Sequence, residues 1–122
     1  MKNFKIRTGH SGEDRASDFL AENGYTVIER NWRSTGGEID VIATKNEILV
    51  FVEVKTMPNA TEDMLQKVLG LQKQKRIIKT SKRFLINHRE YSKYIVRFDV
   101  IILDMPGLPQ VYHIENAFSE FL

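Results

Sequence analysis

The stretch from residue 37 to residue 56, GEIDVIATKNEILVFVEVKT, restricts the fold more than any other part of the chain. Two runs of β-type sequence, residues 38–44 and 48–56, flank Lys45, Asn46 and Glu47. Runs of this kind around a short polar segment are typical of a β-hairpin. We therefore predict a hairpin that turns at Asn46 and Glu47.

A two-residue turn at this point fixes which residues face each other. Asp40 is predicted to face Glu53, and Glu38 to face Lys55. Because side chains alternate along a strand, all four are expected on one face of the sheet. Facing residues hold their Cβ atoms about 4.5–5.5 Å apart, close enough for two carboxylates to share one cation. The other face carries apolar residues that we predict to lie in a core: Ile39, Val41, Ala43, Val50, Val52 and Val54.

The facing acids Asp40 and Glu53 have two interpretations. On a mostly buried hairpin they repel each other, and each loses hydration energy. A divalent cation removes both costs, and oxygen ligands suit Mg²⁺ or Mn²⁺. Alternatively, the face is solvated, with an ion pair between Glu38 and Lys55 and incidental acids. The hairpin alone leaves both interpretations open.

Length and composition indicate one domain, residues 1–122, in which residues 1–10 are polar and basic and are predicted to form a loose arm. The chain has no cysteine, which excludes disulfides, thiolate zinc sites and a cysteine nucleophile and is compatible with a reducing cytoplasm. It has no secretory or membrane-length apolar segment. We therefore expect a cytoplasmic protein with no membrane partner.

Charge is unevenly distributed along the chain. Residues 64–89 contain no Asp or Glu, but they contain eight basic residues: Lys67, Lys73, Lys75, Arg76, Lys79, Lys82, Arg83 and Arg89. A basic surface of this kind is expected where a protein meets phosphate groups. The alternative is an ordinary solvated helix face, which basic runs form more often.

Glu13 is unusual within the first predicted helix. Ser11 is a candidate N-cap, and Gly24 a candidate stop. Glu13 precedes Ala16 and Leu20 by three and seven residues, so its carboxylate is in line with the apolar stripe. It either complements the helix dipole or reaches over the sheet as an accessory acid.

Arg30 and Arg33 are candidate nucleic-acid contacts, whereas Trp32 between them is expected to be a partly buried packing residue. They follow a predicted first strand, residues 25–30, and lead to the glycine turn at residues 36 and 37.

The predicted order of elements is α-β-β-β-α-β-β, a single α/β domain with a central mixed sheet flanked by helices. The helical region begins near Thr61, with Gly70 as an interruption, and it connects the hairpin to a strand at residues 94–104. We expect this helix to be a crossover. A last strand is predicted at residues 111–114.

Motifs along nearly the whole chain resemble those of the YraN-like family of bacterial proteins. They are Gly9-x2-Gly12-Glu13-x2-Ala16-x2-Phe19-Leu20, Gly24-Tyr25, Arg30-Asn31-Trp32-Arg33, Gly37-Glu38-Ile39-Asp40, Phe51-Val52-Glu53-Val54-Lys55, Lys73-Gln74-Lys75-Arg76, Phe84-Leu85, Arg97-Phe98-Asp99-Val100 and Asn116-Ala117-Phe118. That family resembles the restriction-endonuclease-like, PD-(D/E)xK nucleases, which include archaeal Holliday-junction resolvases. The resemblance implies their αβββαβ core.

The resemblance also implies roles for individual residues. Asp40 matches the Asp of the nuclease motif, and Glu53-Val54-Lys55 matches (D/E)xK. Glu13 matches the acid of the first helix, and Lys73 a basic position on the helix after the hairpin.

The implied function is a metal-dependent endonuclease acting on DNA, including branched or repair intermediates. Asp40, Glu53, Glu13 and the Val54 carbonyl would hold Mg²⁺ or Mn²⁺, with Lys55 as the catalytic lysine. Phosphates would be bound by Lys73, Lys75, Arg76 and Lys79. Related resolvases act as dimers, so the resemblance leaves a homodimer open, although the sequence shows no interface. The alternatives are a non-catalytic nucleic-acid-binding module on the same fold and a protein-interaction domain.

Overall fold

The structure, a computed structural model, describes residues 11–65 and 67–120; the arm predicted for residues 1–10 lies outside this part. The helices and strands follow in the predicted order: α1 (Gly12–Glu22), β1 (Thr26–Ser34), β2 (Gly37–Lys45), β3 (Ile48–Thr56), α2 (Glu62–Leu65), α3 (Leu71–Asn87), β4 (Ile95–Leu103) and β5 (Val111–Phe118). A short 3-10 helix, Arg89–Tyr91, follows α3. The break between α2 and α3 includes Gly70, as the sequence indicates.

The five strands form one mixed sheet in the order β1-β2-β3-β4-β5. All neighbours are antiparallel except β3 and β4, which pair in parallel from Ile48 opposite Ile95 to Thr56 opposite Leu103. Helices α2 and α3 form the crossover between these parallel strands, because parallel neighbours cannot be joined by a tight turn. The predicted fold class, a single α/β domain with a mixed sheet flanked by helices, is confirmed. Within the described residues, no helix has both the length and the apolar character needed to cross a membrane.

The hairpin between β2 and β3 has the predicted turn and register. Asn46 and Glu47 have φ values of 51° and 65°, and positive φ at both central residues is the mark of a type I′ turn. Pairing runs from Lys45 opposite Ile48 to Val41 opposite Val52. The register prediction is therefore confirmed for these pairs.

Strand β1 is longer than the predicted residues 25–30. It continues to Ser34, which pairs with Gly37 across a second tight turn at Thr35 and Gly36. Gly36 has φ +82°, a conformation that glycine adopts without steric cost. The last strand is also longer than predicted, ending at Phe118 instead of residue 114.

Apolar side chains form a core on each face of the sheet. The core on the α1 face contains Ala16, Leu20, Tyr25, Val41, Ala43, Val50, Val52, Ile101 and Leu103. The core on the α3 face contains Ile39, Ile42, Leu49, Phe51, Leu69, Ile77, Phe84, Phe98, Val100, Ile102, Met105 and Phe118. Val54 is partly buried against the first of these cores.

The prediction that Ile39 shares a face with Val41 is wrong. Ile39 belongs to the core on the α3 face, whereas Val41 belongs to the core on the α1 face. Strict alternation is therefore lost between them, at Asp40. On β1, Asn31 lies between Arg30, which pairs with Val41, and Trp32, which pairs with Ile39, and its φ is 51°. The irregularity therefore involves both strands.

The α1 face also contains a buried polar network centred on Asp99, which is fully buried. Its carboxylate accepts two hydrogen bonds from Arg97, at 2.9 and 2.8 Å, and one from the Asn116 backbone N–H at 2.9 Å. His113 Nε2 lies 2.7 Å from the same carboxylate. These hydrogen bonds hold the pKa of Asp99 below its ordinary value despite the opposing effect of burial. The network connects β4 to β5, because His113 and the Asn116 N–H of β5 both contact the Asp99 carboxylate.

Helix α3 approaches β2 closely at Gly37. A Cβ atom on Gly37 would lie 2.0 Å from Thr80 Oγ1. Thr80 is buried, and its hydroxyl donates a hydrogen bond to the Arg76 carbonyl at 2.8 Å, so it cannot easily move aside. The missing side chain at position 37 therefore sets the distance between α3 and the sheet.

We predict that Gly37→Ala destabilises the protein by about 2 kcal/mol, because the new methyl group forces α3 away from β2. The measurement is the free energy of unfolding from urea titration. Gly70→Ala is the control for a methyl group added in open space, since nothing lies within 4 Å of a Cβ at that position, and only the smaller loss from a poorer helix cap is expected there. Equal stability of the two variants would contradict the prediction.

Candidate functional site

Asp40 lies where the regular pairing of β2 with both neighbours is interrupted. Pairing with β3 ends at Val41 opposite Val52. Beyond that pair, the backbone N–H of Val54 donates a hydrogen bond to Asp40 Oδ2 at 2.8 Å. A side-chain carboxylate thus takes the place of a backbone acceptor, and it fixes the position of Asp40 between the two strands.

The same hydrogen bond indicates where the Val54 carbonyl points. In an extended strand, the N–H and C=O of one residue point to the same edge. Because the Val54 N–H points towards Asp40, its carbonyl oxygen faces the same gap between β2 and β3. The gap therefore offers a backbone oxygen beside the carboxylates.

Asp40 and Glu53 line one small cavity between the sheet and α3. Both residues are buried, with 8% and 6% of their surface exposed. The cavity has a volume of about 180 Å³ and is lined by Gly37, Glu38, Asp40, Glu53, Lys73, Arg76 and Ile77. The structure therefore brings together the two acids that the hairpin register places opposite each other.

The environment of Asp40 disfavours its negative charge. Burial is the main reason that its pKa is raised from 3.8 to about 7, and the Val54 N–H opposes the increase. The neighbouring charges of Glu53 and Glu13, and a hydrogen bond shared with the Glu53 side chain, raise the pKa further. The cavity thus has an excess of carboxylate oxygens that a cation would stabilise.

Glu13 approaches this site from the other face of the sheet. It is half-buried in the first turn of α1, which begins with the predicted Ser11 cap and its reciprocal Asp14 hydrogen bonds. Gly12 lies against Val54 and Thr56, which places the start of α1 over the carboxyl end of β3. Glu13 therefore acts on Asp40 through its charge.

Lys55 and Glu38 do not form the ion pair of the solvated-face interpretation. The Glu38 carboxylate pairs with Arg33 at 3.0 Å. Lys55 is half-buried and lines a neighbouring cavity of about 530 Å³ with Thr56, Met57, Asp63, Met64, Lys67 and Val68. In the part of the chain that the structure describes, Lys55 has no acidic partner within 4.0 Å. Its ammonium group is thus available two residues after Glu53.

Lys73 is the basic residue in direct contact with the acids. Its Nζ lies 2.8 Å from Glu53 Oε2, and its side chain is 39% exposed. Arg76 lines the same cavity one helical turn later. Lys75, Arg76 and Lys79 are exposed and make no ion pair with any described residue. Of these three free cations, Arg76 lies at the carboxylate cavity, whereas Lys75 and Lys79 lie on the exposed side of α3.

The other predicted phosphate contacts are already engaged with protein groups. Arg30 pairs with Asp14, and Arg33 pairs with Glu38. Trp32 packs edge-on against Phe84 with ring centres 5.3 Å apart, which confirms the packing interpretation. The structure thus separates these arginines from the free basic residues of α3.

The residues around the cavity fit a hard divalent ion. Asp40 and Glu53 supply carboxylate oxygens, and Val54 supplies a carbonyl oxygen on the same edge. Mg²⁺ commonly binds one or two carboxylates and keeps several waters. Among residues 11–65 and 67–120, no group of three or more His, Cys, Asp or Glu side chains is placed to hold a metal. A site here would therefore have two carboxylates at its centre, with Glu13 outside it.

Sequence reasoning missed two contacts of this site. The Asp40 hydrogen bond with the Val54 N–H replaces a backbone pair, which hydrophobic periodicity does not reveal. The ion pair of Lys73 with Glu53 joins residues that are distant along the chain, and no local pattern in the sequence identifies them as partners.

Comparison with known proteins places this chain in a family. A model of the uncharacterised protein family UPF0102 matches residues 12–103. The chain belongs to the UPF0102 family. These are the YraN-like proteins that its motifs resemble, so this part of the resemblance is confirmed.

Relatives in the UPF0102 family align over nearly their whole length. A UPF0102 protein of Treponema denticola is 42% identical over 123 residues, covering 92% of this chain and 95% of the relative. A relative from Persephonella marina is 37% identical, with 95% and 97% coverage. One from Clostridium perfringens is 36% identical, with 96% and 89% coverage. The residues matched by the family model, 12–103, include the whole candidate site.

We predict that Asp40→Asn stabilises the metal-free protein by about 2 kcal/mol at pH 8 and by much less at pH 4. A carboxyl group with a raised folded-state pKa stabilises the fold while protonated, and this contribution is lost as the pH rises from 3.8 to about 7. Asparagine removes the charge and still accepts the Val54 hydrogen bond. The measurement is urea unfolding at both pH values in the presence of a chelator.

The matched control for this experiment is Asp63→Asn, which changes an exposed aspartate. Its effect on the free energy of unfolding should be small at both pH values. A variant at position 40 that is less stable than the wild type at pH 8 would contradict the assignment of an unfavourable charge.

Proposed function

We propose that this UPF0102 protein is a metal-dependent endonuclease of the PD-(D/E)xK type that hydrolyses phosphodiester bonds in DNA. The observation that carries the proposal is the cavity that Asp40 and Glu53 share with Lys73 and Arg76, at the helix whose outer side carries the free cations Lys75 and Lys79. Carboxylates that bind a metal and cations that bind phosphates are the two components of such an active site. Neither component alone would indicate this function.

Asp40 and Glu53 are proposed to hold Mg²⁺ or Mn²⁺ together with the Val54 carbonyl, and Glu13 to act as an outer acid. The ion would supply Lewis acidity, which polarises a phosphate and makes a bound water more acidic. The Val54 N–H holds the Asp40 carboxylate in place, so little reorganisation is needed when a substrate binds.

Lys55 is proposed to orient the attacking water or to stabilise the charge that develops on the phosphate. Two features support this role. Strand alternation places Lys55 on the same face as Glu53, and its ammonium group has no acidic partner among the described residues. A lysine already paired with an acid would be less available for either task.

Lys75, Arg76 and Lys79 are proposed to bind the DNA backbone. Contacts with phosphates give affinity without sequence readout, which suits branched or repair intermediates as substrates. In this proposal the protein acts in the cytoplasm, where bacterial DNA is found. Cleavage of two strands of a junction would require two sites and hence a homodimer.

The second candidate is a nucleic-acid-binding module that does not catalyse hydrolysis. The observation in its favour is that the described residues contain no cluster of three or more acidic or histidine side chains that could hold a metal ion. The basic face of α3 would serve either function. The two candidates differ in the requirement for Asp40 and Glu53.

We predict that the wild type nicks plasmid, single-stranded or branched DNA in Mg²⁺ or Mn²⁺, and that Asp40→Asn and Glu53→Gln each lower the rate at least about 100-fold. Each substitution removes a charged oxygen ligand at nearly constant size. Gel assays of the three proteins at equal concentration measure the rates.

The control for the cleavage assay is Glu22→Gln, which changes an exposed carboxylate at the end of α1 and should cleave like the wild type. Unchanged rates in both site variants would mean that a contaminating nuclease or another site is responsible. DNA binding without any metal-dependent product would favour the binding module.

We predict that Lys75→Glu combined with Lys79→Glu weakens DNA binding about tenfold or more at moderate salt, because phosphate contacts are replaced by repulsion. Fluorescence anisotropy with a labelled oligonucleotide measures the affinity at several salt concentrations. Lys93→Glu, which reverses the charge of an exposed lysine outside α3, is the control. It makes half the charge change of the double variant. Binding that depends equally on Lys93 would reject the α3 surface.

A further inference from the structure

Lys73 occupies an electrostatically unfavourable position on its helix. It is the third residue of α3 (Leu71–Asn87), whose first turn contains no acidic side chain and whose Gly70 cap makes no side-chain hydrogen bond. The N-terminus of a helix carries partial positive charge, so a lysine there is disfavoured. The contact of Lys73 with Glu53 offsets this cost.

Glu53 depends on Lys73 for neutralisation. Only 7% of its side chain is exposed, and Lys73 Nζ lies 2.8 Å from its carboxylate. Arg76 lines the same cavity, but it has no ion pair within 4.0 Å in the described part of the chain. Lys73 is therefore the cation that compensates the buried charge of Glu53.

A divalent ion bound to Glu53 would compete with Lys73 for the same carboxylate. An ammonium group 2.8 Å from Glu53 Oε2 is at direct hydrogen-bonding distance. Positive charges cannot share that position without strong repulsion. Because the lysine side chain is 39% exposed and has a flexible stem, it can move towards solvent while Glu53 stays fixed by its strand.

We propose that Lys73 is the resident counter-ion of the candidate metal site, and that it leaves Glu53 when the site is loaded and then binds a substrate phosphate. This inference rests on the proposed function and specifies how the site is regulated. Lys73 lies one helical turn before Arg76, which lines the same cavity and has no acidic partner among the described residues, so the released ammonium group and Arg76 can contact one phosphate. A phosphate that attracts Lys73 away from Glu53 also removes the competitor of the metal.

Metal and nucleic acid therefore bind cooperatively. Coupling between two ligands is reciprocal, so DNA must raise metal affinity by the same factor by which metal raises DNA affinity. The coupling operates through one side chain and requires no change in the backbone. It restricts loading of the site when no substrate is present.

Calorimetric titration of Mn²⁺ into the full-length protein tests this inference without an activity measurement. For Lys73→Met, we expect Mn²⁺ affinity about tenfold above that of the wild type. A short single-stranded oligonucleotide should raise Mn²⁺ affinity in the wild type but not in Lys73→Met. Lys73→Arg, which keeps the cation, should behave like the wild type.

The control Arg76→Met separates direct competition from general electrostatics. Arg76 lines the same cavity and carries the same charge as Lys73, but it does not pair with Glu53. Its removal should raise Mn²⁺ affinity much less. An equal increase in both methionine variants would overturn the inference, as would equal coupling to the oligonucleotide in the wild type and Lys73→Met.

The outcomes also separate this inference from the proposed function. If Mn²⁺ binds the wild type and Lys73→Met equally, the counter-ion role is wrong while the metal site stands. Binding only to Lys73→Met would support the inference. If neither protein binds Mn²⁺, the metal site is rejected and the counter-ion role with it. Circular dichroism of each variant establishes that the fold is retained.

Discussion

The hydrogen bond from the Val54 N–H to the Asp40 carboxylate is the interaction on which the candidate site depends. Backbone groups within a sheet must be paired, because an unpaired buried N–H costs as much as a lost hydrogen bond. Pairing of β2 with β3 ends at Val41 opposite Val52, and Asp40 supplies the next acceptor. This arrangement keeps an acidic side chain between β2 and β3, which would otherwise continue their backbone pairing. It also leaves Glu53 and the Val54 carbonyl beside that carboxylate.

The close approach of α3 completes the site. Gly37 has no side chain to hold the helix away from β2, so Lys73 can reach Glu53 across the cavity. The sheet contributes the acids and the helix contributes the bases. The distance between them is set by Gly37, which has no side chain. Replacing an acid by its amide would change the charge of the site but hardly its volume. A methyl group at position 37 would instead change the distances between α3 and the sheet.

Sequence patterns predicted those parts of the site that depend on local geometry. The turn at Asn46 and Glu47 fixes the hairpin register, because backbone twist and pairing follow from two residues. The contact between Lys73 and Glu53 depends on the packing of a distant helix, which no local pattern encodes. Ile39 was assigned to the wrong face because strict alternation was assumed across Asp40, where the strands are irregular. The length of β1 was underestimated because two glycines suggested a longer connection than the tight turn at Gly36.

The two buried aspartates show why the site lies on the α3 face and not on the α1 face. Asp99 is surrounded by Arg97, His113 and the Asn116 N–H, and its pKa is lowered. Its charge is fully compensated within the protein, so no external ligand is needed. Asp40 has one backbone donor and acidic neighbours, and its pKa is raised to about 7. The same sheet therefore contains one buried aspartate whose charge is compensated by the protein and one whose charge is not. An uncompensated acid beside free cations is what a site that binds a metal and a phosphate requires.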